Sequence, residues 1–221
     1  MTQLDSERPV RQLKTSRRCL TGRVSTGGGR ANFESSLERD WIAVLDFHPA
    51  VKSIREQPFS LYYDLEGVKR RYTPDVLAEW STPQGHVKTI VYEVKPIDEL
   101  RANWKTYRPR FKAAVRYCRS RGWKFKIVTE REIRTPYLKN VQFLRRYRAL
   151  DPQKLTGDQL LYTLKALGPT TPQALLAASY LYQETRLKAI PELWRLVACG
   201  QIGVLLDEKL TMNSTIWLIG A

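Results

Sequence analysis

Two short runs carry side chains able to act together on a phosphodiester: Pro74-Asp75 and Glu93-Val94-Lys95. Strand side chains alternate between faces, so Glu93 and Lys95 share one face of their strand and Val94 takes the other. Between the runs lies Ser81-Thr82-Pro83-Gln84-Gly85, a cluster of turn formers that predicts a hairpin. A hairpin symmetric about Gln84 sets Asp75 opposite Glu93, with an ammonium one step along. Two carboxylates and a lysine so placed suit a divalent cation and a phosphate. Register decides the matter, because a slip of one residue turns Asp75 to the other face.

A third carboxylate is expected from the helix upstream. Leu37, Trp41, Val44 and Leu45 recur at helical spacing, Asn32 or Ser36 is placed to cap the helix, and Pro49 stops it after Phe47. Glu34 and Glu38 lie on one stripe of that helix with Trp41 and Leu45. Glu34 suits the helix dipole, while Glu38 sits a turn deeper, and periodicity favours Glu38. Hydrolysis aligns a water, the phosphorus and a leaving oxygen. Mg²⁺, or Mn²⁺ in its place, held by carboxylates lowers the pKa of the water and neutralises phosphate charge. Asp75 is expected to bridge metals, with Glu93 and Glu38 adding oxygens. Lys95 is expected to orient the water or stabilise pentavalent charge.

The remaining elements follow the same periodicities. Phe59, Leu61, Tyr63 and Leu65 alternate before a turn at Glu66-Gly67, and 71–80 with 86–95 form the hairpin. A helix broken by Pro109 runs on from Phe111 to Arg119, and 123–129 reads as a strand. That strand follows a crossover helix, so it is expected to run parallel to a neighbour in a mixed sheet. A further helix over 137–148 closes the domain. Residues 1–30 read as a flexible basic arm, 31–150 as an α/β catalytic domain and 151–221 as a second domain of three small helices and a hairpin, all-α or winged-helix-like. Tyr62, Tyr63, Tyr72 and Trp80 are assigned to packing, with no functional role.

Charge points to the partner. The net charge is +15, and 31 of the 37 basic residues lie in 1–150 against 16 of the 22 acidic ones, which leaves 151–221 neutral. Residues 97–148 alone hold sixteen basic and four acidic side chains. Such a field beside a metal site points to nucleic acid. Arg55 and Gln57 at the end of an extended run, and Arg110, Lys112 and Arg116 on the basic helix, are the candidate DNA contacts. Three scattered cysteines, Cys19, Cys118 and Cys199, support neither a disulfide framework nor a zinc site. No run approaches the roughly 20 apolar residues of a membrane span. The N-terminus also lacks the apolar core of a signal peptide.

Glu38-Arg39-Asp40-Trp41, Asp46-Phe47, Pro49-Ala50-Val51, Ile54-Arg55-Glu56-Gln57-Pro58, Tyr72-Thr73-Pro74-Asp75 and Val94-Lys95-Pro96 together resemble the TnsA family, endonuclease subunits of Tn-seven-like transposases, CRISPR-associated ones included. The resemblance implies a restriction-endonuclease-like fold of the PD-(D/E)xK type with a winged-helix-like C-terminal domain, in a bacterial cytoplasmic protein. It selects Glu38 over Glu34, makes Asp75 the central metal ligand and Lys95 the catalytic lysine, and leaves this chain with glutamate where some members carry glutamine at position 93. It also implies cleavage of the non-transferred strand at the 5′ ends of a transposon. The implied partners are double-stranded DNA, a TnsB-type transposase and a TnsC-type AAA+ ATPase, and the neutral C-terminal segment suits docking of the ATPase. Two rivals stay open: a restriction- or repair-type nuclease acting alone, and a non-catalytic DNA-binding adaptor.

Overall fold

A computed structural model of the chain describes residues 22–26, 29–33 and 35–220, in two compact units that divide between Arg134 and Thr135. In the first unit, β1 (Gly22–Thr26) and β2 (Gly29–Phe33) pair antiparallel. The expected arm therefore holds a strand pair in its last part, and Asn32 lies in a strand rather than at a helix start. The rest of the arm, and Glu34, lie outside the described residues.

Helix α1 (Ser36–Phe47) starts one residue earlier than Ser36 would cap it. Ser35 is the N-cap: its hydroxyl accepts the Glu38 N–H at 3.1 Å and donates to Glu38 Oε1 at 3.1 Å. The buried stripe of Leu37, Trp41, Ile42 and Leu45 packs α1 on the central sheet, where the Trp41 and Tyr92 rings meet edge to face at 5.1 Å.

That sheet has the order β3-β6-β7-β8, formed by Val51–Glu56, Val76–Ser81, Val87–Val94 and Lys124–Val128. The β6–β7 pairing runs from Val76 opposite Tyr92 to Ser81 opposite Val87, symmetric about Gln84 as expected. Strand β8 runs parallel to β7, also as expected. One reading needs correction. The run 71–80 is two strands, because Pro74 has no N–H to give a ladder and breaks it. Its first part belongs to a separate ribbon, β4 (Leu61–Leu65) with β5 (Val68–Tyr72). Glu66 and Gly67, at φ 54° and 75°, close that ribbon with the two positive φ values a two-residue hairpin turn needs. Val51–Glu56 is itself a strand, though its alternation is weak and it is only half buried.

The crossover helix α2 (Ile97–Arg119) runs through Pro109 without a break there but is kinked into two helical stretches further upstream. Its irregularity is at Asn103 (φ −113°, ψ 16°), where the side-chain amide donates to the Glu99 carbonyl at 3.2 Å and competes with the backbone ladder. The first turn is capped from a distance: Glu130 Oε2, on the short helix α3 (Glu130–Ile133), accepts the Ile97 N–H at 3.0 Å. Phe111, Ala114 and Cys118 of α2 meet Leu77 and Val91 of the sheet and Phe59, Leu61 and Tyr72 in one apolar cluster. Cys118 is buried and Cys199 exposed, both as free thiols.

The second unit holds α4 (Pro136–Arg148), α5 (Lys154–Leu167), α6 (Pro172–Ser179), α7 (Gln183–Ala198) and the antiparallel pair β9 (Ile202–Val204) and β10 (Ile216–Leu218). The boundary thus falls before α4, not at Asp151. Helix α4 packs on α7, with Phe143 and Trp194 edge to face at 5.4 Å. It brings Lys139, Arg145, Arg146 and Arg148 with it, so this unit carries ten basic and six acidic side chains and is not neutral. Inside it, Glu192 is buried and accepts two bonds from Arg195, at 2.8 and 2.7 Å, and one from the Gln153 N–H at 3.1 Å.

Gly203 stands opposite Trp217 in the β9–β10 register, and a Cβ there would lie 2.3 Å from Trp217 Nε1. The indole plane is rigid, so the strand pair must separate to admit a methyl. Gly203→Ala is expected to cost about 1–3 kcal/mol, read as a lower urea midpoint. Unchanged stability would show that the ring does not cross the glycine in solution.

Candidate active site

The sheet register delivers the site. Asp75 is the residue just before β6, and one step beyond Val76 opposite Tyr92 lies Asp75 opposite Glu93. The Asp75 carboxylate turns to the partner strand, where Oδ2 accepts the Val94 N–H at 2.7 Å. Its carbonyl accepts the Gln57 N–H at 2.8 Å, and Gln57 itself takes φ 44° to present that N–H. Asp75 is thereby tied to β3 on one side and β7 on the other. Lys95 lies just past β7, its N–H bonded to the Val128 carbonyl of β8 at 3.1 Å. Its ammonium reaches Glu93 Oε1 at 3.6 Å and Asp75 Oδ2 at 3.8 Å, and donates to the Val94 carbonyl at 3.2 Å.

Glu93 is the most enclosed member, 2% exposed. Tyr72, at the end of β5, donates its hydroxyl to Glu93 Oε2 at 2.5 Å. From α2, Arg110 approaches Glu93 Oε1 at 3.4 Å, and its guanidinium lies over the Tyr107 ring at 3.9 Å. Glu38, Arg71, Tyr72, Thr73, Tyr107 and Arg110 complete with Asp75, Glu93 and Lys95 the lining of a polar cleft of about 300 Å³. Tyr107 is fixed in turn by its hydroxyl bond to Glu99 at 2.5 Å.

Burial and the neighbouring Asp75 charge push the Glu93 carboxyl up to about 8, although Lys95, the Tyr72 hydroxyl and Arg110 oppose the shift. Burial also disfavours the Lys95 ammonium, but Asp75, Glu93, Glu38 and Glu99 outweigh it and hold that lysine charged well beyond its ordinary range. Burial, then the Glu93 and Asp75 charges, push the Tyr72 phenol up, so it remains a donor.

The four expected catalytic residues therefore share one cleft, with Glu38 on its wall through α1. Among the expected DNA contacts only Arg110 enters the cleft, and it does so as a partner of Glu93. Arg55 and Gln57 are half-buried on β3 and its end, and the backbone of Gln57 positions Asp75. Lys112 and Arg116 lie on the exposed side of α2. Tyr72, which alternation places in packing alone, also holds Glu93 through its hydroxyl. The signal was its place two residues before Pro74, where the ribbon ends beside the cleft.

The donors suit a hard divalent cation. They are carboxylate oxygens, and the mutual repulsion of Asp75 and Glu93 is what such a cation relieves. Among the described residues, no three His, Cys, Asp or Glu side chains gather as a complete metal cage. A cation here would draw its remaining ligands from water and phosphate oxygens, as Mg²⁺ commonly does.

Two family matches cover most of the chain. Residues 48–130 match the family described as TnsA-like endonuclease N terminal, and residues 132–204 match TnsA endonuclease C terminal. Their junction falls close to the boundary between the two units. Compared with individual curated proteins, the chain has no match.

Because folding raises the Glu93 pKa, the folded state holds a proton there that the unfolded chain has released. This stabilises the fold fully below the ordinary carboxyl pKa and is lost as pH rises toward 8. In chelator-treated protein, the melting temperature of Glu93→Gln minus that of the unsubstituted chain should increase from pH 5 to 8. The limit is about 1.4 kcal/mol per pH unit. A difference that stays level or shrinks over that range would contradict a proton held on Glu93.

Proposed function

This chain belongs to the TnsA endonuclease family, and we propose that it is the metal-dependent DNA endonuclease that cuts the non-transferred strand at the 5′ ends of a Tn-seven-like transposon. The convergence of Glu38, Asp75, Glu93 and Lys95 on one polar cleft carries this reading. Asp75 and Glu93, in a cleft that Glu38 also lines, would hold Mg²⁺ or Mn²⁺. When bound, the ion supplies charge neutralisation at the phosphate and acidifies a water.

The protein's own groups have distinct tasks. The Lys95 ammonium is held charged, so it acts as a fixed positive charge toward the phosphate oxygens and the attacking water rather than as a base. Asp75 is locked by two strands and loses little freedom when substrate arrives. Arg71 and Arg110 on the cleft lining favour a polyanion at the same place. Water attacks phosphorus in line and gives up a proton to solvent as one P–O bond breaks, and the departing oxygen takes up a proton.

A TnsB-type transposase and a TnsC-type ATPase are the partners this role requires. The neutrality expected of the C-terminal segment no longer supports docking there, since α4 makes that unit basic. Exposed apolar side chains support it instead: Leu155 is 87%, Leu181 80% and Tyr162 75% exposed.

With Mg²⁺ or Mn²⁺ present, Asp75→Ala should lose strand cleavage at transposon ends. Lys95→Ala should slow it by about 10²–10³-fold, and both variants should keep duplex binding and assembly with the partners. Full cleavage by Asp75→Ala sinks the assignment. Efficient cutting by the isolated chain, unaltered by the transposase and ATPase, would favour a restriction- or repair-type nuclease instead.

A further inference from the structure

Only one polar face of helix α2 lines the cleft. Arg110 and Tyr107 point into the cleft. Lys105, Arg108, Lys112, Arg116 and Arg119 succeed one another at spacings of three, four, four and three, and all five are exposed. At 100° per residue they form one stripe, roughly opposite Arg110 around the helix axis. Among the described residues, none of the five takes part in an ion pair. After Asp98 and Glu99 in its first turn, α2 contains no further acidic side chain. Each successive pair along the stripe is a like-charged neighbour at the spacing that destabilises a helix. A solvated face made for solubility mixes signs, and this one does not.

We infer that the outward face of α2 is a second duplex-DNA surface, separate from the cleavage cleft. The polyanion is taken as duplex DNA because the chain is read as a DNA endonuclease, and the inference rests on that reading for this choice alone. From Lys105 to Arg119 the stripe covers about 21 Å, enough to follow roughly six base pairs of one phosphate strand. Ammonium and guanidinium groups at that spacing neutralise phosphates without reading bases, so the surface takes DNA irrespective of sequence. Lys112 and Arg116 therefore do not serve the duplex that lies in the cleft. A nuclease acting in an assembly that handles more than one DNA segment gains a second handhold from such a face.

The test uses the full chain in chelator, with random-sequence duplexes of about 16 base pairs, long enough to cover the stripe. Titration should give two duplexes per chain. The variant Lys105→Gln/Arg108→Gln/Lys112→Gln/Arg116→Gln/Arg119→Gln should bind one, and the lost site should show a log–log salt slope of about −4.5. Glutamine keeps helix propensity, and circular dichroism verifies the fold. Lys112→Gln/Arg116→Gln, a milder change, should reduce that slope by about two. One duplex per unsubstituted chain, or two on the five-site variant, overturns the proposal. So does displacement from the stripe by polyglutamate at lower concentration than by duplex, which would mark it as a site for acidic protein. Asp75→Ala should still bind both duplexes, so loss of the nuclease reading would leave this result standing.

Discussion

The site depends on one hydrogen bond, from the Val94 N–H to Asp75 Oδ2 at 2.7 Å. The donor lies between Glu93 and Lys95, so this bond fixes the aspartate against both functional neighbours. It can form only where the β6 ladder has already ended, because an inward Asp75 in a regular strand would give its side chain no backbone donor across the pair. Pro74 provides that ending. It cannot donate to a ladder, so the chain leaves the β4–β5 ribbon and enters β6 with Asp75 at the junction. The proline-aspartate pair is thus a single device: one residue ends pairing and the next uses the freed geometry.

Burial of Glu93 is the electrostatic counterpart of that constraint. A carboxylate removed from water beside another carboxylate is unfavourable unless cations and donors surround it. Lys95, Arg110 and the Tyr72 hydroxyl do so from three different elements, the end of β7, α2 and β5. Their attraction leaves the Glu93 carboxyl raised all the same, so the cluster is still short of positive charge at Glu93. That remaining demand is one a divalent ion would meet. The same carboxylates keep Lys95 charged, so the lysine and the acid pair each set the state of the other.

Much of this was legible in the chain because the decisive signals were local. The turn formers around Gln84 set the register, and period-two alternation put Glu93 and Lys95 on one face. Elements defined by non-local contacts were harder to see. Val51–Glu56 lacks clear alternation and becomes a strand by pairing with β6. Pro109 suggested a break in α2, yet tertiary packing of Phe111 and Ala114 holds the helix through it, and the irregularity falls instead at Asn103. The roles of Tyr72 and Arg110 depend on the ribbon and α2 arriving at Glu93 together, which no spacing within either segment encodes.

Moving the unit boundary to precede α4 changes what charge says about division of labour. The excess of positive charge does not stop at the first unit, because Lys139, Arg145, Arg146 and Arg148 travel with the second. Neutrality cannot then be the mark of a protein-docking module. Exposed apolar side chains are the better mark, since leucines and tyrosines at that exposure gain nothing from water. The second unit combines these residues with basic ones on α4, whereas the exposed side of α2 is mainly basic, with Trp104 and Val115 as its exposed large apolar side chains. A surface for a protein partner and a surface for phosphates make different demands, and different side-chain types meet them.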